Sequence, residues 1–352
     1  MSPGDHPVRI AYLCARHPLM GGEWYRCTRP GALVMHHFGW TAAACTYMAT
    51  EEDNDGGPLK FITLNQTLVE PDVIIIRPVK EWRQEWSDQA RANGQLVVAD
   101  IDDDLWAHED WVDTGRPNDD GLDDWFWEVD AVLSSTHWLS KRIRDMGHPA
   151  QVITAPNCYD PYGITPGPRP GRVIGTRLWL AGRMSGDMKM YDDFVYPLLE
   201  ELDLEFLHVG AEEGHRFVDR GWDEKRLIER KAVPIPLMSD ALKNLSIGTI
   251  MMADNPYNAA KTETHAVELA SGGIPFVAAS NHPLYRTIPG RVETTADAVK
   301  ERIQALMDPV YWDKESTRAI KWARAISQKR EQEYLVSILR VVNMLHSAQA
   351  RY

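Results

Sequence analysis

The chain lacks the features that would carry a protein into or across a membrane. Nowhere in its 352 residues do about 18 apolar residues run together, so a membrane-spanning helix is excluded on length. The N-terminus passes from MSPGDHP straight into the apolar run Val8–Leu13, without a basic n-region, a long h-region or a small-residue cleavage site, and no export signal is read. Cysteine is scarce. Cys14, Cys27, Cys45 and Cys158 include no CxxC pair and no histidine at metal-ligand spacing, which argues against a zinc site or a disulfide framework and for reduced core thiols. Positive charge is also short, with 38 Lys and Arg against 51 Asp and Glu. The net charge of −13 disfavours non-specific attraction to a phosphate backbone and leaves nucleic acid only a local basic cleft. GxGxxG is absent, so a dinucleotide fingerprint is unsupported, and there is no fixed-period repeat. These absences leave a soluble, cytoplasmic protein as the expectation.

What is present is ordinary globular material, 44% hydrophobic and 25% charged, long enough for two cores of about 150 residues each. Apolar runs at Val8–Leu13, Val73–Ile76, Leu96–Ala99, Val132–Ser134, Leu178–Ala181, Leu204–Val209, Ile247–Met252 and Phe276–Ala278 alternate with helical patterns. Such alternation predicts βα units and parallel sheets. Between the two groups of runs, Pro161–Arg172 is rich in proline and glycine with little to bury, as a linker would be. The expected domains are 1–165 and 166–325, followed by a C-terminal helix, 326–352. In that helix Tyr334, Leu335, Ile338, Leu339, Val342 and Leu345 repeat at helical spacing and predict one buried face turned back to the first domain.

The most informative stretch is MMADNPYNAAKTETHAVELASGGIPFVAAS, residues 251–280, which reads as strand, polar loop, helix, glycine turn and strand. A helix starting near Thr262 would turn the backbone N–H groups of Thr262, Glu263 and Thr264 toward an anion, with Lys261 beside it. Glu268 shares a helical face with Thr264, where a carboxylate suits two vicinal ribose hydroxyls. The bland alternative is an amphipathic helix on a parallel strand, with Asn258 as a turn residue and Glu268 solvated. Earlier, LWLAGRMSGDMKMYDDF, residues 178–194, places Gly182, Arg183 and Lys189 after a strand, two cations suited to a diphosphate leaving group without a metal.

The run NAAKTETHAVELASGGIPFVA resembles the donor-site motif of retaining GT-B glycosyltransferases, particularly the family 4-like enzymes. Those enzymes often carry two glutamates, and the earlier position is Ala260 here. The glycine-arginine loop and lysine of that family resemble Gly182, Arg183 and Lys189. Weaker resemblances run in order along the chain: DVIIIRP, VVADIDDDLW, EVDAVLSSTHWLSKRI, ITAPNCYDP and SNHPLYRTIP. The resemblance implies an α/β GT-B architecture, two Rossmann-like domains facing a central cleft, with the acceptor on the first and the donor on the second. It implies transfer of a sugar from a nucleoside-diphosphate sugar to a hydroxyl, with retention, no metal and no other cofactor. Asn258, Lys261, Thr262, Glu263, Thr264 and Glu268 would join Gly182, Arg183 and Lys189 in holding the donor. Compact enzymes of this kind occur in bacteria and bacteriophages, with modified DNA bases, proteins and glycans as acceptors.

Two further clusters belong to the first half. Asp100, Asp102, Asp103 and Asp104 invite a metal reading, but they lie away from the phosphate motifs. Strand-end capping or an acceptor-facing role competes with it, and Asp102 or Asp103 is the expected hydroxyl-orienting or basic group. The loop PLMGGEWYRCTRPG offers Gly22, Tyr25 and Arg26 to the acceptor, or is a structural turn. A sugar-nucleotide epimerase of the same fold and a catalytically silent glycan-binding protein are the rival functions.

Overall fold

A computed structural model describes residues 7–349 apart from 15–16, 20, 49–56, 64–65, 78–83, 108–122, 161–172, 178–184 and 211–216. The chain divides into two compact units. The first takes Met1–Asp104, Arg116–Tyr159 and Lys329–Tyr352, and the second takes Leu105–Gly115 and Asp160–Gln328. The linker Pro161–Arg172 and the strand expected at Leu178–Ala181 lie outside the described residues.

In the first unit the strands are β1 (Arg9–Leu13), β2 (Thr41–Met48), β3 (Phe61–Thr63), β4 (Leu68–Val69), β5 (Val73–Ile76), β6 (Leu96–Ile101), β7 (Ala131–Ser134) and β8 (Gln151–Thr154). They form one sheet in the order β4-β3-β2-β1-β5-β6-β7-β8. From β2 to β8 the pairs are parallel, and only β3 and β4 join antiparallel. β5 reads Val-Ile-Ile-Ile and is buried throughout, as a strand covered on both faces should be. The helices are α1 (Gly21–Glu23), running into a π-helical turn at Trp24–Thr28, then α2 (Arg29–Phe38), α3 (Gln84–Ala92), α4 (Asp123–Phe126) and α5 (His137–Asp145). Local chemistry sets their ends. Thr136 accepts from the Leu139 amide at 3.1 Å to start α5, and Gly39, in the left-handed region at φ 66°, closes α2 on the Met35 carbonyl.

The second unit holds β9 (Val173–Arg177), β10 (Glu205–Val209), β11 (Leu227–Arg230), β12 (Ile247–Met251), β13 (Phe276–Ala279) and β14 (Arg291–Val292). Its sheet is all parallel, in the order β11-β10-β9-β12-β13-β14. That is the 3-2-1-4-5-6 order of the dinucleotide-binding fold, which reverses direction between β9 and β12. Its helices are α6 (Ser185–Phe194), α7 (Tyr196–Glu201), α8 (Met238–Leu242), α9 (Pro256–Ala259), α10 (Thr264–Ser271) and α11 (Ala296–Leu306). The core gathers Tyr191, Phe206, Phe217, Trp222, Ile247 and Val277.

The last helix, α12 (Pro309–Gln349), begins in the second unit and ends in the first. Tyr334, Ile338, Val341, Val342 and Leu345 enter the first unit's core, and the Tyr334 and Tyr12 hydroxyls meet at 2.9 Å. Leu339, expected on the buried face, is instead 38% exposed, and Val341 takes that place. Among the described residues no helix is long and apolar enough to cross a membrane.

Candidate functional site

Ligands of open α/β sheets bind beyond the carboxyl ends of the strands, where strand order reverses. In the second unit that edge lies after β9 and β12. The chain leaving β9 enters residues 178–184, so Gly182 and Arg183 lie outside the described residues. The chain leaving β12 is described throughout. Asn255 caps α9 by accepting from the Asn258 amide at 2.7 Å, with Pro256 in the first turn. Asn258 is buried, and its side-chain amide donates to the Ala253 carbonyl at 2.9 Å, tying α9 to the turn before it. Lys261 reaches back over the Tyr257 ring, 4.1 Å from its centroid, and donates to the Tyr257 hydroxyl at 2.8 Å.

The helix expected from Thr262 starts two residues later, at Thr264. The Lys261 amide still closes the turn of α9 on the Asn258 carbonyl, and Glu263, at ψ 17°, is the last residue outside α10. The first turn of α10 therefore carries the N–H groups of Thr264, His265 and Ala266, with the dipole's positive end beside Lys261. The Thr262 and Thr264 hydroxyls bond at 2.8 Å across the junction. Glu268 is not solvated: it is 3% exposed, as is Glu263. α10 lies close on the sheet because β12 carries Gly248, where a Cβ would meet Leu269 at 2.5 Å. At the far end Gly273, at φ 65°, makes the turn into β13.

Lys189 sits in the middle of α6 on an exposed face, where it donates to Asp193 at 2.6 Å, one helical turn on.

One residue of this edge, His282, was not singled out by motif reading. Its Nε2 donates to the Ala259 carbonyl, and its Nδ1 accepts from the Leu284 amide at 3.2 Å. That pair of bonds requires the neutral ring, and burial lowers its pKa from 6.5 against the opposing effects of the Ala259 bond, Glu263 and Asp254. Three residues on, Tyr285 donates to the Thr262 carbonyl at 3.2 Å. The turn at 282–285 thus holds the loop 259–262 from behind. The only sequence signal was its place in SNHPLYRTIP.

In the first unit strand order reverses at β1 and β5. Two expected acceptor residues are enclosed there. Arg26 is 1% exposed, donates from Nε to Asp100 at 3.0 Å, bonds Asp100 again through Nη2, and reaches the Ala155 carbonyl and Asn157 through Nη1. Burial pulls its pKa down, but the Asp100 charge and hydrogen bonds outweigh that and the net shift is upward. Tyr25 is buried edge-on against Tyr159, with ring centroids 5.6 Å apart. Neither side chain is presented to an acceptor, because each completes the core under the sheet edge. Gly22 is exposed; a Cβ there would stand 3.1 Å from Arg77 Nη2 and 3.5 Å from Asp102 Oδ2.

The aspartates do not pool their charge. Asp100 faces Arg26, Asp102 Oδ2 lies 3.0 Å from Arg77 Nη1, and the buried Asp104 lies 3.6 Å from Arg142 Nε. Asp103 is half-buried. Arg77, at the end of β5, also stands 3.7 Å from Glu23. Motif reading singled out neither residue, because only the adjacency of β1 and β5 brings them together. Burial pushes the Glu23 carboxyl up, against the opposing effect of Arg77. In the same unit, Trp125 is core and Trp127 stacks on His148, with ring centroids 5.0 Å apart.

No protein-family model matches the chain, and no curated protein sequence does. Solved structures do. Two units of mainly parallel sheet, the second in Rossmann order, form a two-domain Rossmann-like GT-B fold. A sucrose-phosphate synthase from Thermosynechococcus elongatus superimposes with a TM-score of 0.65 at 11% identity, over 97% of this chain and 100% of that one. TarM superimposes at 0.55 and 12% identity, over 81% of this chain and 61% of its own. A TarM mutant of S. aureus, solved with fondaparinux, alpha-GlcNAc-glycerol and UDP, does so at 0.55 and 11%, over 82% and 63%. The chain thus spans less than two thirds of TarM's length.

Proposed function

We propose that the protein is a glycosyltransferase that moves a sugar from a nucleoside-diphosphate sugar to an acceptor hydroxyl, with the donor bound by its second unit. The observation that carries this reading is the segment after β12. It places Lys261, the first turn of α10 and the buried carboxylate of Glu268 on one stretch of chain, at the edge where a sheet of order 3-2-1-4-5-6 takes its ligand. The UDP complex of the TarM mutant supports it, as a nucleotide held by a protein of similar fold.

In this reading the diphosphate lies against the Thr264 end of α10, with Thr262, Glu263 and Asn258 shaping the loop and Lys261 leaving Tyr257 to meet it. Glu268 takes the ribose hydroxyls. Gly182, Arg183 and Lys189 supply the opposite side, and positive charge from Arg183 and the lysines takes the place of a metal. The edge of the first unit, with Gly22, Asp102 and Asp103, takes the acceptor: a modified DNA base, a protein or a glycan. Retention at the anomeric carbon, a cytoplasmic setting and a bacterial or phage origin complete the proposal.

Titration calorimetry with nucleoside diphosphates tests it. One of them binds, and Glu268→Gln weakens it at least about tenfold with normal stability, because a charge-assisted acceptor is lost. Equal affinity in wild type, Glu268→Gln and Lys261→Ala removes this segment from the site, and no binding of any nucleoside diphosphate rejects the reading.

A further inference from the structure

We propose that Cys14, Glu23 and Cys27 form a binding site for one thiophilic divalent cation of the zinc class. The proposal concerns the first unit and does not depend on the donor reading. All three side chains are buried, and one ligand atom from each lies within 4.8 Å of the others. The Cys27 sulfur stands 3.6 Å from Glu23 Oε2. A tetrahedral zinc with sulfur at about 2.3 Å and oxygen at about 2.0–2.2 Å sets that edge at about 3.5–3.7 Å, and a sulfur–sulfur edge at about 3.8 Å. The Cys27–Glu23 edge already has that length, and the Cys14 sulfur lies within 4.8 Å of both.

The backbone explains how residues without a metal-binding spacing converge. Cys14 follows β1 directly, and its amide is held by the Cys45 carbonyl at 2.8 Å. Glu23 precedes the π-helical turn Trp24–Thr28 and Cys27 lies within it, the turn being closed by the Arg29 amide on the Trp24 carbonyl. Such wide turns are uncommon and recur at functional positions. Two thiolates and a carboxylate around a dication leave one negative charge, which the buried Arg77 guanidinium, 3.7 Å from Glu23 and shared with Asp102 at 3.0 Å, offsets in part. Water completes the fourth position. The ion would clasp the end of β1 to the segment that carries Gly22 and Arg26.

The test uses the full chain, purified under phosphine reductant, stripped with chelator, loaded with zinc or cobalt(II) and passed through gel filtration. One zinc per chain is retained, and cobalt(II) shows thiolate-to-metal charge transfer in the near ultraviolet with the strong visible bands of a tetrahedral site. Cys14→Ser and Cys27→Ser each lower affinity about 100-fold or more and weaken the charge-transfer band. Glu23→Gln lowers affinity while keeping the band, and remains the deciding variant should a cysteine replacement fail to fold. The proposal is overturned by reduced protein that retains no zinc, by a cobalt spectrum without a thiolate band, or by retention unchanged in all three variants. A Cys14–Cys27 disulfide that survives the reductant overturns it too.

Discussion

Removing the Arg26 side chain should destabilise the first unit. The guanidinium is 1% exposed and its partner Asp100 equally so, both within an ion pair whose side chains see almost no solvent. Arg26→Met keeps the aliphatic stem but strands the Asp100 carboxylate and removes the Nη1 bonds to the Ala155 carbonyl and Asn157. Breaking one partner of a buried pair costs about 3–5 kcal/mol, against a total of about 5–15 kcal/mol for a typical domain. At about 2–4 °C per kcal/mol for a unit of 150–250 residues, the midpoint falls by about 6–20 °C. Replacing both partners removes the stranded charge, so Arg26→Met with Asp100→Leu should recover much of the loss. Scanning calorimetry on the two single variants and the double closes the cycle. A normal midpoint in Arg26→Met, or a double variant as unstable as the sum of the singles, refutes the argument. Lost acceptor recognition at unchanged stability would restore Arg26 to the binding residues.

Three further outcomes are expected. Magnesium or manganese should leave nucleoside-diphosphate affinity unchanged in titration calorimetry, since the proposed donor site relies on side-chain cations; a large gain would return a metal to it. His282 has its folded pKa held below 6.5 by burial, so its contribution is complete above pH 6.5 and is lost as pH falls through the folded value, because the unfolded state binds the proton first. Melting temperature against pH should therefore be less steep on the acid side in His282→Gln, and matching slopes would exclude the residue. Gly248→Ala drives a methyl to 2.5 Å from Leu269 and 3.0 Å from Phe276, and overpacking of this kind costs about 1–3 kcal/mol in denaturant unfolding; an unchanged midpoint would mean that α10 moves freely off the sheet.

Much of the sheet framework was legible along the chain, for a local reason. Parallel strands covered on both faces read as near-continuous apolar runs, so β5 and β13 stand out unbroken, and β6 and β12 stand out although each carries one polar residue, Asp100 and Thr249. β2 did not stand out, because Thr-Ala-Ala-Ala-Cys-Thr-Tyr-Met has no β-branched run and owes its extended form to pairing with β1 and β3. The edge strands β4 and β14, of two residues each, are too short to leave a pattern. The start of α10 was misplaced by two residues because Lys261 and Glu263 suit a helix by propensity, while the turn closing α9 holds the backbone out of one.

The candidate site divides in the same way. Lys261, Thr264 and Glu268 share one short segment, and helical periodicity puts Thr264 and Glu268 on one face, so the sequence by itself gives a helix terminus and a carboxylate together with a lysine close by in the chain. Whether a charged side chain meets a ligand or serves the core depends on what the fold lays over it. Arg26 and Asp100 are 74 residues apart, and only the order β1-β5-β6 brings them into one enclosed pair. The same order sets Arg77 beside Glu23 and Asp102, and the turn after β13 sets His282 behind the loop 259–262. Periodicity reports which neighbours share a face within one element. The contacts that bury a charge are made between elements, and tertiary structure alone decides them.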